Sequence, residues 1–100
     1  MHVISRRPLT AYAAKHPDAK ASLTAWWATA AQAEWTSRTD VLATFPNAHG
    51  VGEGRVRFEV AGGSYRLIVA FDFERKVAFV KFLGAHAEYD RIDATTVSRF

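Results

Sequence analysis

His86, Tyr89, Asp90 and Arg91 crowd into one short stretch directly after an apolar run that is broken by Lys81. An imidazole gives or takes a proton near neutral pH. The Tyr89 phenol can donate to a phosphate oxygen or position a hydroxyl. Upstream, Arg55, Arg57 and Arg66 are spaced through two further strand-like segments. Together these residue types suit the cleavage of RNA. That reaction needs a deprotonated 2′-hydroxyl, a stabilised charge on the pentavalent phosphate and a protonated leaving oxygen. Proton transfer by His86 would contribute about 10²–10⁴-fold. Arg57, Arg66 and Lys81 would hold the developing phosphate charge. The bland alternative for His86 is a structural role, and composition alone does not separate the two. The four histidines, at positions 2, 16, 49 and 86, lack the short spacing of metal ligands.

These side chains must be held by a sheet. Val56, Phe58 and Val60 alternate with Arg55, Arg57 and Glu59, a period of two. Gly62-Gly63 reads as a two-residue hairpin turn. Centring the pairing there sets Val60 against Tyr65, Phe58 against Leu67 and Val56 against Val69. The other face then pairs Glu59 with Arg66 and Arg57 with Ile68. A slip by one residue would turn every apolar side chain of the first strand outward. A second turn centred on Glu74-Arg75 pairs Leu67 with Phe82, Val69 with Val80 and Phe71 with Ala78. It also sets Ile68 against Lys81 and Arg66 against Leu83. In that register Arg57, Arg66 and Lys81 project from one face, opposite the helices, with Glu59 offsetting part of the charge. The bland reading is a solvated strand face. Lys81 resists it, because a lone lysine inside an apolar strand must reach water, a partner or a ligand. Gly84 is expected to allow a sharp exit that returns His86 over the basic face.

The first half of the chain reads as helical. Residues 2–5 form a short candidate strand. Pro8 suits a first helical turn, and Leu9, Tyr12, Ala13 and His16 recur at helical spacing. Pro17 closes that helix and opens the next, with Asp18 in its first turn. Leu23, Trp26, Trp27, Ala30 and Ala33 form one apolar stripe. Its tryptophans are read as core, with base stacking as the sharper alternative. Ser37 to Asp40 resembles a capping box, followed by a short helix that Pro46 stops. Asn47 to Gly54, with three glycines, reads as a connector, since it lacks the lysine and spacing of a phosphate loop. Helices followed by an antiparallel meander give an α+β fold. The expected organisation is one domain, residues 1–100. It has a helical half over about 1–46, an antiparallel sheet over about 55–84 and a C-terminal active-site segment over 85–100.

The 100 residues carry 13 basic and 10 acidic side chains, net +3, a mild bias towards polyanions. An apolar fraction of 49% is too high for a disordered chain. The absence of cysteine excludes disulfides, thiolate nucleophiles and sulfur-ligated zinc. Arg6, Arg7 and Pro8 come early with no apolar run behind them, so no signal peptide is expected. No apolar run approaches the about 18 residues that span a bilayer. The expectation is a cytoplasmic protein that uses no cofactor and no membrane.

Several stretches together resemble the HigB-type toxins of the RelE-like group of mRNA interferases. They are Tyr65 to Val69, Val80 to Gly84 and His86 to Asp93, with the His-x-Glu-Tyr-Asp segment the most specific. Ile4 to Leu9, His16 to Ala19, Trp26-Trp27 and Phe45 to Ala48 also look like that family, so the likeness covers nearly the whole chain. It implies N-terminal helices packed on a small antiparallel sheet, and a toxin that cuts mRNA on the translating ribosome without a metal. Its partner would be a HigA-like helix-turn-helix antitoxin. By motif, Arg66 corresponds to the family's phosphate-binding arginine, and His86 and Tyr89 to the polar residues after the last strand. Lys81 stands where the family often has arginine, keeping the charge without the two-pronged fork. The catalytic set implied is His86, Arg66, Lys81 and Tyr89, with Arg55, Arg57, Asp90 and Arg91 as RNA contacts. The chain departs from the family at Ala85, where threonine is frequent, and at Gly63 and Ser64, where asparagine and lysine are. Those departures keep a rival reading in view: a binding module of the same fold that holds RNA or antitoxin without cutting. A metal-dependent nuclease is a third reading with little support.

Overall fold

Pro8 and Pro17 each sit where the first turn of a helix needs no backbone donor. Helix α1 spans Arg6–Lys15, and α2 spans Pro17–Gln32 with Pro17 in its opening turn. Ser37 caps α3, Arg38–Thr44, its hydroxyl accepting from the Asp40 amide at 3.4 Å. Asp40 does not complete the box. Its carboxylate accepts from the Thr36 amide and hydroxyl at 2.9 and 3.0 Å. Those bonds, the amide's first, hold it below its ordinary pKa. The computed structural model describes residues 1–4 and 6–100. Ser5, the last residue of the expected first strand, lies outside them. No helix among the described residues is long and apolar enough to cross a membrane.

The strands are β1 (His2–Ile4), β2 (His49–Gly52), β3 (Arg55–Val60), β4 (Tyr65–Asp72) and β5 (Val77–Ala85), and α4 covers His86–Tyr89. They form one sheet in the order β1-β5-β4-β3-β2. The α+β class stands, but the sheet is mixed. Strand β1 joins β5 in parallel, while the other pairs are antiparallel. Parallel neighbours need a long connection, and the three helices come between β1 and the rest. The expected connector over 47–54 is corrected as well, since β2 pairs with β3 along it. Its glycines erased the alternation that would have marked a strand.

The β3–β4 register is the expected one, from Val56↔Val69 through Glu59↔Arg66 to Val60↔Tyr65. Its turn is longer than two residues. A short 3₁₀ turn covers Ala61–Gly63, with positive φ at Ala61, Gly62 and Gly63. The centre of the loop is unchanged, so the pairing is too. The β4–β5 register is a correction. Val69↔Val80 and Phe71↔Ala78 hold, but a bulge follows, and Ile68 meets Phe82, Leu67 meets Leu83 and Arg66 meets Gly84. Lys81 is the extra residue. Val80 and Leu83 are both buried in the helix-side core. They are three apart, so only an inserted residue brings both to one face.

Helices α1 and α2 cover the face carrying Val56, Phe58, Leu67, Val69 and Val80, with Leu9, Leu23, Trp26 and Ala30 between the layers. Trp26 is core, its ring 5.4 Å from Phe58. Trp27 is only half-buried, and the Arg6 guanidinium lies 3.7 Å over its ring. The other sheet face has a smaller core. Ile68 and Phe82 are fully buried there, under Tyr89 at 6.3 Å and the Arg99 guanidinium at 4.7 Å from the Phe82 ring. The chain end is tied down over this face. The Lys81 carbonyl accepts from the Arg99 amide at 2.9 Å. Arg55 donates to the Ala94 and Val97 carbonyls at 3.2 and 2.6 Å. Bonds from Thr95 close the turn and hold the Asp93 carboxyl below its ordinary pKa.

Gly84 serves space rather than a sharp exit, for β5 runs on through Ala85. A Cβ there would stand 2.8 Å from Phe82 Cζ. Gly84→Ala is therefore expected to lower stability by about 1–3 kcal/mol, read as a fall in the urea midpoint. An unchanged midpoint would mean that the Phe82 ring yields freely. Arg55→Ala should release the segment after Asp93. The Arg99 amide should then exchange faster in deuterium while the β4 amides keep their protection. Equal exchange in both proteins would show that Arg55 is not the tie.

Candidate active site

Strand alternation and the β3–β4 register place Arg57, Glu59 and Arg66 together on the face away from the helices. Glu59 and Arg66 are directly opposed, and Arg57 is the next residue along on the same side of β3. Glu59 Oε1 takes both cations, Arg57 Nη2 at 3.3 Å and Arg66 Nη1 in a tighter contact. The side chains are partly screened, 22%, 20% and 14% exposed for Arg57, Glu59 and Arg66, so water weakens this triad less than a surface pair. The Nε–H groups of both arginines are buried without a partner among the described residues. Both guanidiniums are thus held through their Nη atoms.

Tyr89 closes the cluster from above. Arg57 Nη1 donates to the Tyr89 hydroxyl at 3.3 Å. The Arg57 and Arg66 guanidiniums lie 5.4 and 5.6 Å from the Tyr89 ring centroid, within range for attraction to its face. Tyr89 reaches this position because α4 turns the chain back after Ala85 and the ring settles against Phe82. A shallow groove beside the cluster takes in Arg57, Glu59, Arg66 and the Gly62-Gly63 turn on one side, and Trp26 and Pro46 on the other. Gly63 has a φ of +97°, and a Cβ there would stand 3.3 Å from Glu59 Oε2. The departure from the family pattern at this position therefore leaves room for the Glu59 carboxylate.

His86 opens α4, one turn before Tyr89, and is half exposed. Its Nδ1 lies 3.1 Å from Asp90 Oδ2, an arrangement that fixes the ring and leaves Nε2 for another partner. Its amide donates to the Ser64 carbonyl at 3.1 Å, which ties α4 to the β3–β4 turn. Beside that turn Tyr12 stacks on His16 at 4.1 Å, with Tyr65 edge-on. The Tyr65 hydroxyl donates to Asp18, which raises its pKa. Burial, then the nearby Glu88 carboxylate, raises that of Tyr12.

Of the residues singled out in the sequence, Arg57, Arg66 and Tyr89 come into contact, and His86 pairs with Asp90 one helical turn away. Lys81 does not join them. Its ammonium lies 5.5 Å over the Phe79 ring, without an ion-pair partner among the described residues. Ile68 and Phe82 hold the row it was expected to share. Arg55 is spent on the C-terminal segment, and Arg91 is exposed just beyond α4. Glu59, read from the sequence only as partial compensation, is the hub. Its pairing with Arg66 in the expected register was the signal for it.

A model of the HigB toxins, described as the RelE-like toxic component of a toxin-antitoxin system, matches residues 19–92. The mRNA interferase HigB of Escherichia coli O6:H1 is 28% identical over 94 residues, which cover 92% of this chain and 91% of that protein. Most of helix α2, the arginine pair, Glu59 and the His86–Tyr89 turn fall within the matched span, and the chain belongs to the HigB toxin family.

Proposed function

We propose that this toxin is an endoribonuclease that cuts mRNA on the translating ribosome, without a metal ion, in the cytoplasm. The observation that carries the reading is the triad of Arg57, Glu59 and Arg66 under Tyr89, one helical turn from the His86–Asp90 pair. The mRNA interferase relative supports the substrate class.

In this mechanism the scissile phosphate docks on Arg66 and Arg57, whose guanidinium charge stabilises the charge that grows in the transition state. The 2′-hydroxyl oxygen attacks phosphorus, the bond to the 5′-oxygen breaks, and a 2′,3′-cyclic phosphate and a 5′-hydroxyl result. His86 Nε2 carries a proton to the leaving oxygen or from the attacking one, with Asp90 holding the ring. Tyr89 orients the phosphate through its hydroxyl. Lys81 and Arg91 contact the RNA backbone further along. Arg55 is left out of this set, because its guanidinium is engaged elsewhere. A helix-turn-helix antitoxin of the HigA type is the partner this reading expects.

The test is primer extension on mRNA from a translating extract. His86→Ala should lower cleavage by about 10²–10⁴-fold, and Arg66→Ala should lower it by a similar factor, with both proteins folded. New ends with wild type and with both variants alike would move the chemistry off these residues. No ends with wild type, in an extract that another interferase cleaves, would favour the binding module.

A second prediction concerns Glu59, whose carboxylate stands where a phosphate oxygen would bind. Glu59→Gln should bind a short RNA oligonucleotide several-fold more tightly at low salt. Its log Kd should also depend more steeply on log salt, by about 0.7 for each further phosphate neutralised. Equal slopes would show that Glu59 does not compete with the phosphate.

A further inference from the structure

We propose that the outer surface of the α1–α2 hairpin is a docking surface for an acidic, apolar-faced helical segment of the antitoxin. The inference rests on the chain's place in a toxin-antitoxin family, and uses RNA cleavage only as a readout. A groove of about 290 Å³ runs between the two helices, floored by Leu9, Ala13, Leu23 and Trp27 and flanked by Arg6 and Lys20. It shares no lining residue with the groove beside the arginine triad. Its volume falls just under the about 300–1,000 Å³ of small-molecule pockets, and its shape suits a row of side chains.

The charge around it is one-sided. Residues 6–32 hold the basic Arg6, Arg7, Lys15 and Lys20 against one acid, Asp18. Asp18 is occupied on another flank by the Tyr65 hydroxyl, at 2.9 Å. None of the four cations has an ion-pair partner among the described residues. That contrasts with the catalytic face, where Glu59 serves both arginines. The exposed Arg6 guanidinium lies over the Trp27 ring and has no ion-pair partner among the described residues, so a carboxylate arriving at the rim meets a cation that is already positioned.

Three features select the occupant. An aliphatic floor takes apolar side chains, which RNA does not offer. Trp27 is the aromatic residue among those lining this groove, and Arg6 covers its ring, which removes the platform a single strand needs. A second copy of this chain would bring the same basic helices against this rim, and like charges would oppose it. An amphipathic helix with apolar residues on one side and acids along its edges satisfies both floor and rim.

The test uses the full-length toxin and the antitoxin encoded with it, by calorimetric titration at two salt concentrations. The variants are the double charge reversal Arg6→Glu and Lys20→Glu, and separately Thr24→Glu at an exposed position on the groove wall. The expected result is antitoxin affinity lower by about 10–100-fold in the double variant, with a weaker salt dependence. Thr24→Glu should act in the same direction, and mRNA cleavage should equal wild type in both. Unchanged antitoxin affinity in both variants would overturn the proposal. So would lost RNA cleavage with antitoxin affinity intact, which would make the groove an RNA site. If wild type binds antitoxin but cuts no RNA, the enzymatic reading fails while the affinities still decide the docking surface.

Discussion

Two guanidinium groups on neighbouring strands of one sheet face repel each other. At about 4 Å and an effective dielectric near 20 the repulsion is about 4 kcal/mol. Glu59 makes the arrangement of Arg57 and Arg66 tolerable by meeting both with one carboxylate oxygen. That contact exists only in one strand register, in which Glu59 opposes Arg66 and Phe58 opposes Leu67. Shifting the pairing by one residue would break the triad and also turn Phe58, Val56 and Val60 out of the core. The packing of the interior and the assembly of the site are therefore set by the same pairing.

The bulge at Lys81 does comparable work on the opposite side of β4. It lets Leu83 enter the helix-side core while Phe82 faces the other way beside Ile68. Phe82 is the seat on which the Tyr89 ring rests, and Tyr89 in turn touches Arg57. Without the inserted residue Phe82 would point towards the helices, and Tyr89 would lose its support. The C-terminal segment completes this second core, held by Arg55 and by the pairing of Arg99 with Lys81. Residues that looked like ligands for RNA thus divide between holding the platform and standing on it.

Much of this was legible in the residues because it depends on local rules. Proline positions marked where α1 and α2 divide, Ser37 marked the start of α3, and a glycine-centred loop fixed the β3–β4 register despite a misjudged turn length. The parts that were not legible depend on distant partners. Strand β2 is held by its pairing with β3 and carries no alternation of its own. The parallel partner of β1 is chosen by how the helices cross over. The bulge answers to two cores at once, and a count of residues around one turn sees neither. In the candidate site, type and spacing singled out Arg57, Arg66 and Tyr89, which the fold brings into contact. Glu59 was undervalued because opposite charges on a strand face are common, and only its double contact sets it apart.

The two basic surfaces differ in construction, and the difference bears on what each can recognise. On the sheet face, cations stand around an internal carboxylate with aromatic cover, beside a groove that Arg57, Glu59 and Arg66 help to line. An incoming phosphate there exchanges with a charge already present, so binding becomes a competition, which favours ligands that engage both arginines together. On the helical face, Arg6 and Lys20, without carboxylate partners among the described residues, rim an aliphatic floor. A ligand there gains most if it brings carboxylates and apolar surface in one rigid element. A net charge of +3 spread evenly would draw any polyanion to either face. Pairing the charges on one face and leaving them open around a greasy groove on the other would let one small protein address the two chemically different ligands proposed above.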